Sequence, residues 1–280
     1  MTNSSNPLKQ FFRQPAIYVK LPENGRHWPS GSLEVPANGE LPIYPMTAID
    51  EISYRTPDAL FNGAATVSVI ESCVPSVKNA WKTPSSDLNR LLVGIRIASY
   101  GNKMELTSIC PACTETNEFE LDLGSILSGH IGANYSESIR QGDIEIYFKP
   151  INYEDQNKIN LRQFEQQRIL QAVPESSLSD EEKSRHLNQA VQEITKITIT
   201  AVANNIGSIR TPQALVSEPE YIEEFLANCD RKVYAQIRDH VVKLRNDNEF
   251  KPLKMTCGHC KHEYQQDFTL DSTNFFDNAS

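Results

Sequence analysis

Apolar residues recur every three or four positions through much of the second half of the chain, which predicts helices. Ser179 followed by Glu182 forms a capping box at the start of one of them. A further helix is predicted to begin at Ser217. The apolar stripes consist of Ile159, Phe164, Ile169, Leu170 and Val173; of Leu187, Val191, Ile194, Thr198 and Ala201; and of Val233, Ile237, Val241 and Leu244. Together they predict a helical subdomain over residues 150–248.

Two more helices are predicted nearer the N-terminus. Residues 56–58, Thr-Pro-Asp, combine an N-cap, a proline at the first helical position and an acid in the first turn. A helix of about 15 residues should follow, although Gly63 weakens it. Ser85 begins another helix and Gly101 ends it. Its apolar residues are Leu88, Leu91, Leu92, Ile95 and Ile97.

The first 45 residues have a strand and turn pattern instead. The run AIYVKLP predicts a strand, and GSLEVPANGELPIYP predicts a second hairpin. Asn24-Gly25 and Asn38-Gly39 are turn pairs that tolerate positive φ. A later run, DIEIYFKP at Asp143–Pro150, also predicts a strand.

These patterns predict an α+β protein in four parts. Residues 1–45 should form an extended arm rich in strands and turns, and residues 46–123 a helical segment leading to a first cysteine turn. Residues 124–250 should be an inserted, mostly helical subdomain, and residues 251–280 a second cysteine turn with a C-terminal tail.

Composition narrows the class of protein. The chain has 280 residues, of which 39% are hydrophobic and 22% charged, enough for one or two domains with a real core. No apolar run approaches the roughly 20 residues of a membrane helix, and the first residues lack a signal-peptide pattern, so we expect a cytoplasmic protein with no membrane partner. The net charge is −9 and no Lys/Arg block is interleaved with aromatics, so nucleic acid is not an expected partner.

Four of the six cysteines lie in two C-x-x-C turns, Cys110-Pro-Ala-Cys113 and Cys257-Gly-His-Cys260. Each turn lies between strand-like runs, as in a zinc ribbon, where a two-residue gap puts both sulfurs on one side. We therefore predict a split, zinc-ribbon-like site in which all four cysteines bind one zinc ion. A site filled by four thiolates has no open position for water, which indicates a structural role.

Three other interpretations of the cysteines remain open. One C-x-x-C could be a redox pair, although both enter strands rather than a helix N-terminus. The cysteines could be unrelated buried thiols, or two separate metal sites could use His259 or His262 as extra ligands. The remaining two, Cys73 and Cys229, are interpreted as buried thiols.

The sequence has no recognised phosphate-loop, dinucleotide-binding, hydrolase-elbow or zincin motif, so we expect no enzyme, no catalytic or cofactor-binding residues and no small-molecule substrate. The acidic groups at residues 50–51 and 180–182 suit first-turn helix positions better than catalysis. His27, beside Trp28, is interpreted as a surface or packing residue.

Three stretches carry a resemblance to a known family: PAIYVKLPENGRHWPSGSLEVPANGELPIYPMTAIDEISYRTPDALFNG, AWKTPSSDLNRLLVGIRIASYGNKMEL with the following CPAC, and NYEDQNKINLRQFEQQRIL. They resemble the baseplate hub subunit family of T-even-type contractile-tailed bacteriophages, most strongly from Leu8 to Cys113. The resemblance implies a tail baseplate protein of the virion, made in the host cytoplasm, that contacts other tail proteins and lacks a catalytic motif. The family includes both structural subunits and hub assembly factors.

Residues 8–45 are the expected contact, because an extended arm can add strands to a neighbouring sheet. A rival from another class is a cytoplasmic enzyme or a nucleic-acid-binding zinc-ribbon protein. Acidic residues lie among the lysines near the cysteine turns, which argues against a nucleic-acid-binding protein. The lysines are Lys103, Lys251, Lys254 and Lys261, and the acidic residues are Glu105, Glu115, Glu118 and Glu120.

Overall fold

The computed structural model describes residues 6–55, 63–268 and 276. The chain mixes helices with antiparallel strands, which confirms the predicted α+β class. It divides into two compact units. The first comprises Met1–Ala80, Asp87–Ile131 and Glu249–Ser280, and the second comprises Trp81–Ser86 and Gly132–Asn248. The predicted helix start at 56–58 lies outside the described residues.

The first unit begins with a pair of antiparallel strands, β1 (Ile17–Lys20) and β2 (Glu40–Ile43), in which Ile17 lies opposite Ile43. Three helices follow: α1 (Ala48–Tyr54), α2 (Ala64–Cys73) and α3 (Ser85–Tyr100). The strand pair packs on α3 at Gly94, where an added Cβ would lie 2.6 Å from Ile43 Cδ1 and 3.2 Å from Val19 Cγ2.

Packing against α3 corrects the arm prediction. Val19, Leu21, Leu41 and Ile43 are all buried, so the β1–β2 pair belongs to the core of the first unit and is not a free arm. The prediction of a second hairpin was also wrong. Strand β2 pairs with β1, and Leu33 forms an isolated bridge with Val77 instead. The partner of each strand lies far away in the sequence, so the local pattern of residues could not predict the pairing.

Helix ends in the first unit follow the sequence. Thr47 and Asp50 form a capping box at the start of α1. Gly63, with φ of 79°, precedes α2, so the described part of this predicted helix begins after the glycine. Gly101, with φ of 88°, ends α3 as predicted, and its N–H donates to Ile97 O at 2.9 Å.

The rest of the first unit consists of two hairpins and a short helix. One hairpin is β3 (Lys103–Ile109) with β4 (Thr116–Asp122), followed by α4 (Leu123–Gly129). The other, far along the chain, is β9 (Leu253–Thr256) with β10 (Glu263–Gln266). Both hairpins have a C-x-x-C turn at their tip.

The second unit has a four-stranded antiparallel sheet with order β5-β6-β7-β8. Its strands are Ser138–Gln141, Ile144–Phe148, Ile206–Arg210 and Leu215–Val216, and its helices are α5 (Tyr153–Ala172), α6 (Asp180–Ala203), α7 (Pro219–Asn228) and α8 (Arg231–Asn248). The helices were predicted, including the Ser179–Glu182 capping box of α6. The helix expected from Ser217 begins at Pro219, and β7 and β8 were not predicted.

One apolar cluster joins this sheet to its helices. It consists of Tyr135, Ile146, Phe148, Val202, Ala203, Ile206, Ile209, Ile222, Leu226, Ile237 and Leu244. Since strands and helices both contribute, the second unit has a core of its own.

Asn248 ties the beginning of the second unit to its end. Its Oδ1 accepts from Ala133 N–H at 2.9 Å, and its Nδ2 donates to Tyr135 Oη at 2.6 Å. Asn248 is buried, so both hydrogen bonds are shielded from water. The longer segment of the second unit, Gly132–Asn248, therefore begins and ends at adjacent points. Among the helices that the structure describes, none has the length and apolar character needed to cross a bilayer.

Candidate metal centre

The first knuckle, residues 110–115, connects β3 to β4. Cys110 N–H donates to Glu115 O at 3.0 Å, and Thr114 N–H donates to Cys110 O at 2.9 Å. Thr114 has φ of 60°, the left-handed conformation, which few residues other than glycine adopt. These constraints curl the turn tightly and bring Cys110 and Cys113 to the same side.

The second knuckle, residues 257–262, repeats this geometry between β9 and β10. Cys257 N–H donates to His262 O at 2.9 Å, and Lys261 N–H donates to Cys257 O at 3.0 Å. Lys261 has φ of 63°, matching Thr114 within a few degrees. The two knuckles therefore share the same backbone hydrogen bonds and have a left-handed residue at the equivalent position.

The two knuckles face each other with their sulfurs together. Cys110 Sγ lies 3.7 Å from Cys260 Sγ, and Cys113 Sγ lies 3.6 Å from Cys257 Sγ. All four sulfurs are within 4.8 Å of one another. A tetrahedral ion with metal–sulfur bonds of about 2.3 Å separates its sulfurs by about 3.8 Å. The sulfur positions therefore fit a single tetrahedral metal ion.

The site is buried on one side and open on the other. Cys110 and Cys257 are fully buried, Cys113 is half-buried and Cys260 is exposed. Backbone N–H groups of Cys260 and then His259 lower the pKa of the Cys257 thiol to about 6. The Glu115 amide lowers the pKa of Cys113, but desolvation and hydrogen bonds with the other three thiols outweigh it and raise that pKa to about 12. Four crowded thiols thus share protons unequally, and a cation would replace those protons.

Side chains outside the C-x-x-C turns join the two hairpins. Gly258 N–H donates to Asn117 Oδ1 at 2.8 Å, and Tyr264 Oη donates to Ser108 Oγ at 3.1 Å. Ser108 Oγ in turn donates to Gln266 Oε1 at 3.0 Å. Sequence reasoning missed these residues because a lone Asn or Ser carries no spacing signal.

The geometry bears on the other interpretations of the cysteines. Within the described part of the chain, the grouped metal-ligating residues are these four cysteines. His262 stacks on Tyr264 instead, with ring centroids 6.4 Å apart. All six cysteines are free thiols. The prediction that all four cysteines bind one ion remains a prediction, and the structure supplies a geometry compatible with it.

The two cysteines outside the knuckles differ from each other. Cys73 is buried as predicted, and burial raises the pKa of its thiol to about 12. Cys229 is only half-buried, because it follows the end of α7 near the surface. His27 lies 3.2 Å from Glu23, and the neighbouring Trp28 is buried with its Nε1 donating to Asp87 at 2.6 Å. Both contacts are structural.

A comparison with protein families finds one match that covers most of the chain. The family described as T4 bacteriophage base plate protein matches residues 34–277, which include both knuckles and the whole second unit. No curated protein and no solved structure matches the chain.

Proposed function

The chain belongs to the T4 bacteriophage base plate protein family, and from this membership we propose that it is a structural component of the baseplate hub of a phage tail. It works through contacts with other tail proteins and catalyses no reaction. The observation that carries the proposal is the family match over residues 34–277. The hub assignment is finer than that match and rests on the resemblance of residues 8–113 to hub subunits.

Zinc is the ion we propose for the cysteine cluster. Cys110, Cys113, Cys257 and Cys260 would hold it as thiolates, since a tetrahedral all-sulfur site is typical of structural zinc. The sulfur separations of 3.6 and 3.7 Å support this assignment. When bound, the ion supplies a crosslink between the two hairpins and no catalytic chemistry, because protein ligands fill all four positions.

The crosslink has a mechanical use in an assembly protein. Few residues of β9 and β10 are buried, so this hairpin has little core of its own to hold it on the first unit. Metal binding becomes folding free energy for such a segment. The hydrogen bond that Asn117 accepts from Gly258 and the one that Ser108 donates to Gln266 then fix the orientation in which the ion holds the two hairpins.

The alternative is an assembly factor that helps to build the hub and is absent from the finished virion. Quantitative mass spectrometry of purified virions separates the two roles. We expect this chain at a fixed ratio to other baseplate proteins. If it is abundant in infected cells and missing from purified infectious particles, the structural role is wrong and the assembly role replaces it.

A further inference from the structure

Residues 7–12 expose an unusual amount of apolar surface. Leu8, Phe11 and Phe12 are 60%, 76% and 55% exposed, although a short 3-10 helix at Pro7–Phe11 holds their backbone in a defined turn. The hydrogen bonds of this turn are local, such as Phe12 N–H to Lys9 O at 3.2 Å. Single exposed apolar residues are ordinary, but three within five positions indicate a binding surface.

Arg13 fixes this turn to the first unit. Its Nη2 donates to both the carbonyl and the hydroxyl oxygen of Ser72 at 2.8 Å, and its Nη1 lies 3.3 Å from Asp50 Oδ2 and also donates to Pro45 O. Asp50 is itself held by the Thr47 capping box. The turn is therefore presented from a rigid anchor, which lowers the entropy lost when its side chains are bound.

Helix α1 adds a second apolar surface at the same anchor. Ile49 and Ile52, three positions apart on one face of the helix, are 75% and 70% exposed, and Asp50 between them is the ion-pair partner of Arg13. Five large exposed apolar side chains thus belong to the two segments that the Arg13–Asp50 pair joins. We name this set the N-terminal patch: Leu8, Phe11, Phe12, Ile49 and Ile52.

Charge narrows the kind of partner. No Asp or Glu precedes Glu23, whereas the whole chain carries a net charge of −9. Arg13 pairs with Asp50 and Lys20 lies 3.8 Å from Glu40. Lys9 lies between Leu8 and Phe11 in the same turn and is itself exposed. The Pro7–Phe12 part of the patch is therefore apolar with one positive charge, that of Lys9.

We propose that the N-terminal patch docks into an apolar groove with an acidic rim on a different baseplate protein. The proposal rests on the proposed function and names the surface through which it works. The acidic rim is the complement of Lys9, which is the exposed cation of the Pro7–Phe12 turn.

The test uses full-length protein and three variants. The first is Leu8→Ser/Phe11→Ser/Phe12→Ser and the second is Lys9→Glu. The matched control is Phe164→Ser/Val191→Ser, which removes two apolar side chains that are 42% and 54% exposed in the second unit. The probes are the purified baseplate proteins of the same phage, fluorescently labelled and titrated one at a time at about 50 and about 500 mM salt. Circular dichroism and metal content establish that each variant is folded.

We expect one baseplate protein to bind the wild-type chain and the control variant equally. The triple variant should bind that protein at least about 100-fold more weakly, because exposed aromatics that become buried are typical hot spots. Lys9→Glu should weaken binding several-fold at low salt and little at high salt.

Three results would overturn the inference. If the triple variant binds as tightly as wild type, the contact is elsewhere on the chain although a baseplate role stands. If the triple substitution instead abolishes self-association, or binding to vesicles of anionic lipid, the occupant is a second copy or a membrane. If no baseplate protein binds wild type, the inference fails, and virion composition decides the proposed function independently.

Discussion

Replacing Cys257 and Cys260 together by serine removes one knuckle and leaves the other intact. Residues 114–256, 143 in all, lie between the inner cysteines of the cluster. A crosslink that closes a loop of that length stabilises the folded chain by about 5 kcal/mol through the entropy of the unfolded state. This value applies when the whole chain between the two cysteines is unfolded.

The hydrogen bonds of Asn248 reduce the stabilisation that the crosslink contributes. If the second unit stays folded, Ala133 and Asn248 remain together, and the open part of the loop is only residues 114–132 and 249–256. A loop of about 27 residues corresponds to about 3.5 kcal/mol. We therefore expect the double variant to lose about 3.5 kcal/mol in the first unit while the second unit, with its separate apolar cluster, stays folded.

Urea unfolding followed by hydrogen exchange is the assay. With a slope of about 2 kcal/mol per molar urea, the midpoint of the first unit should fall by roughly 2 M. Amides of β3, β4, β9 and β10 should lose protection, and those of α6 and β6 should keep it. Cys229→Ser is the matched control, since Cys229 lies outside the cluster.

Two results would refute this reasoning. Wild-type protein purified without added metal should contain one equivalent of zinc; an absence of zinc, or stoichiometric zinc in the double variant, would remove the crosslink from the explanation. A chelator should also reproduce the effect of the double substitution in wild type. Uniform unfolding of both units after chelation would contradict the independence of the second unit.

Other positions give sharper local tests. Gly94→Ala should destabilise the first unit by roughly 1–2 kcal/mol in urea, since the new methyl group lies 2.6 Å from Ile43 Cδ1; Gly129→Ala, with open space around it, should change little. Deleting residues 1–12 should leave thermal stability unchanged, whereas deleting residues 1–30 should unfold the first unit because β1 and Trp28 are lost; equal melting curves for the two truncations would contradict the observed packing. Hydrogen bonds from Lys158 and Lys82 lower the pKa of Glu154 to about 2, so its stabilising effect is present above about pH 4.5 and lost as the pH falls towards 2. As this carboxylate is partly exposed, Glu154→Gln should cost under about 1 kcal/mol at pH 7 and nothing near pH 2, measured by thermal melts at both.

Local signals in the sequence were sufficient for the knuckles and for most helix ends. The C-x-x-C spacing, the Ser179 cap and Gly101 each act within a few residues of themselves. The sequence did not reveal pairing between distant segments: Val19 and Ile43 lie on separate strands, and both pack at Gly94 of α3 in the β1–β2 pair. The same limit concealed Asn117, whose partner Gly258 lies 141 positions away. β7 was missed because the helical stripes on either side dominate the pattern around Ile206 and Ile209.

The hydrogen bonds that Asn248 makes to Ala133 and Tyr135 join the two ends of a long segment of the chain, residues 133–248. The two ends of the segment 133–248 are held side by side. The number of residues inside this segment therefore does not set the distance between the chain before it and the chain after it. Residues can be added to, or removed from, its outer loops, such as the turn between α5 and α6, without changing the distance the flanking chain must span. A reporter domain grafted at that turn should therefore leave the two cysteine hairpins paired, which makes the turn a suitable place to label this protein.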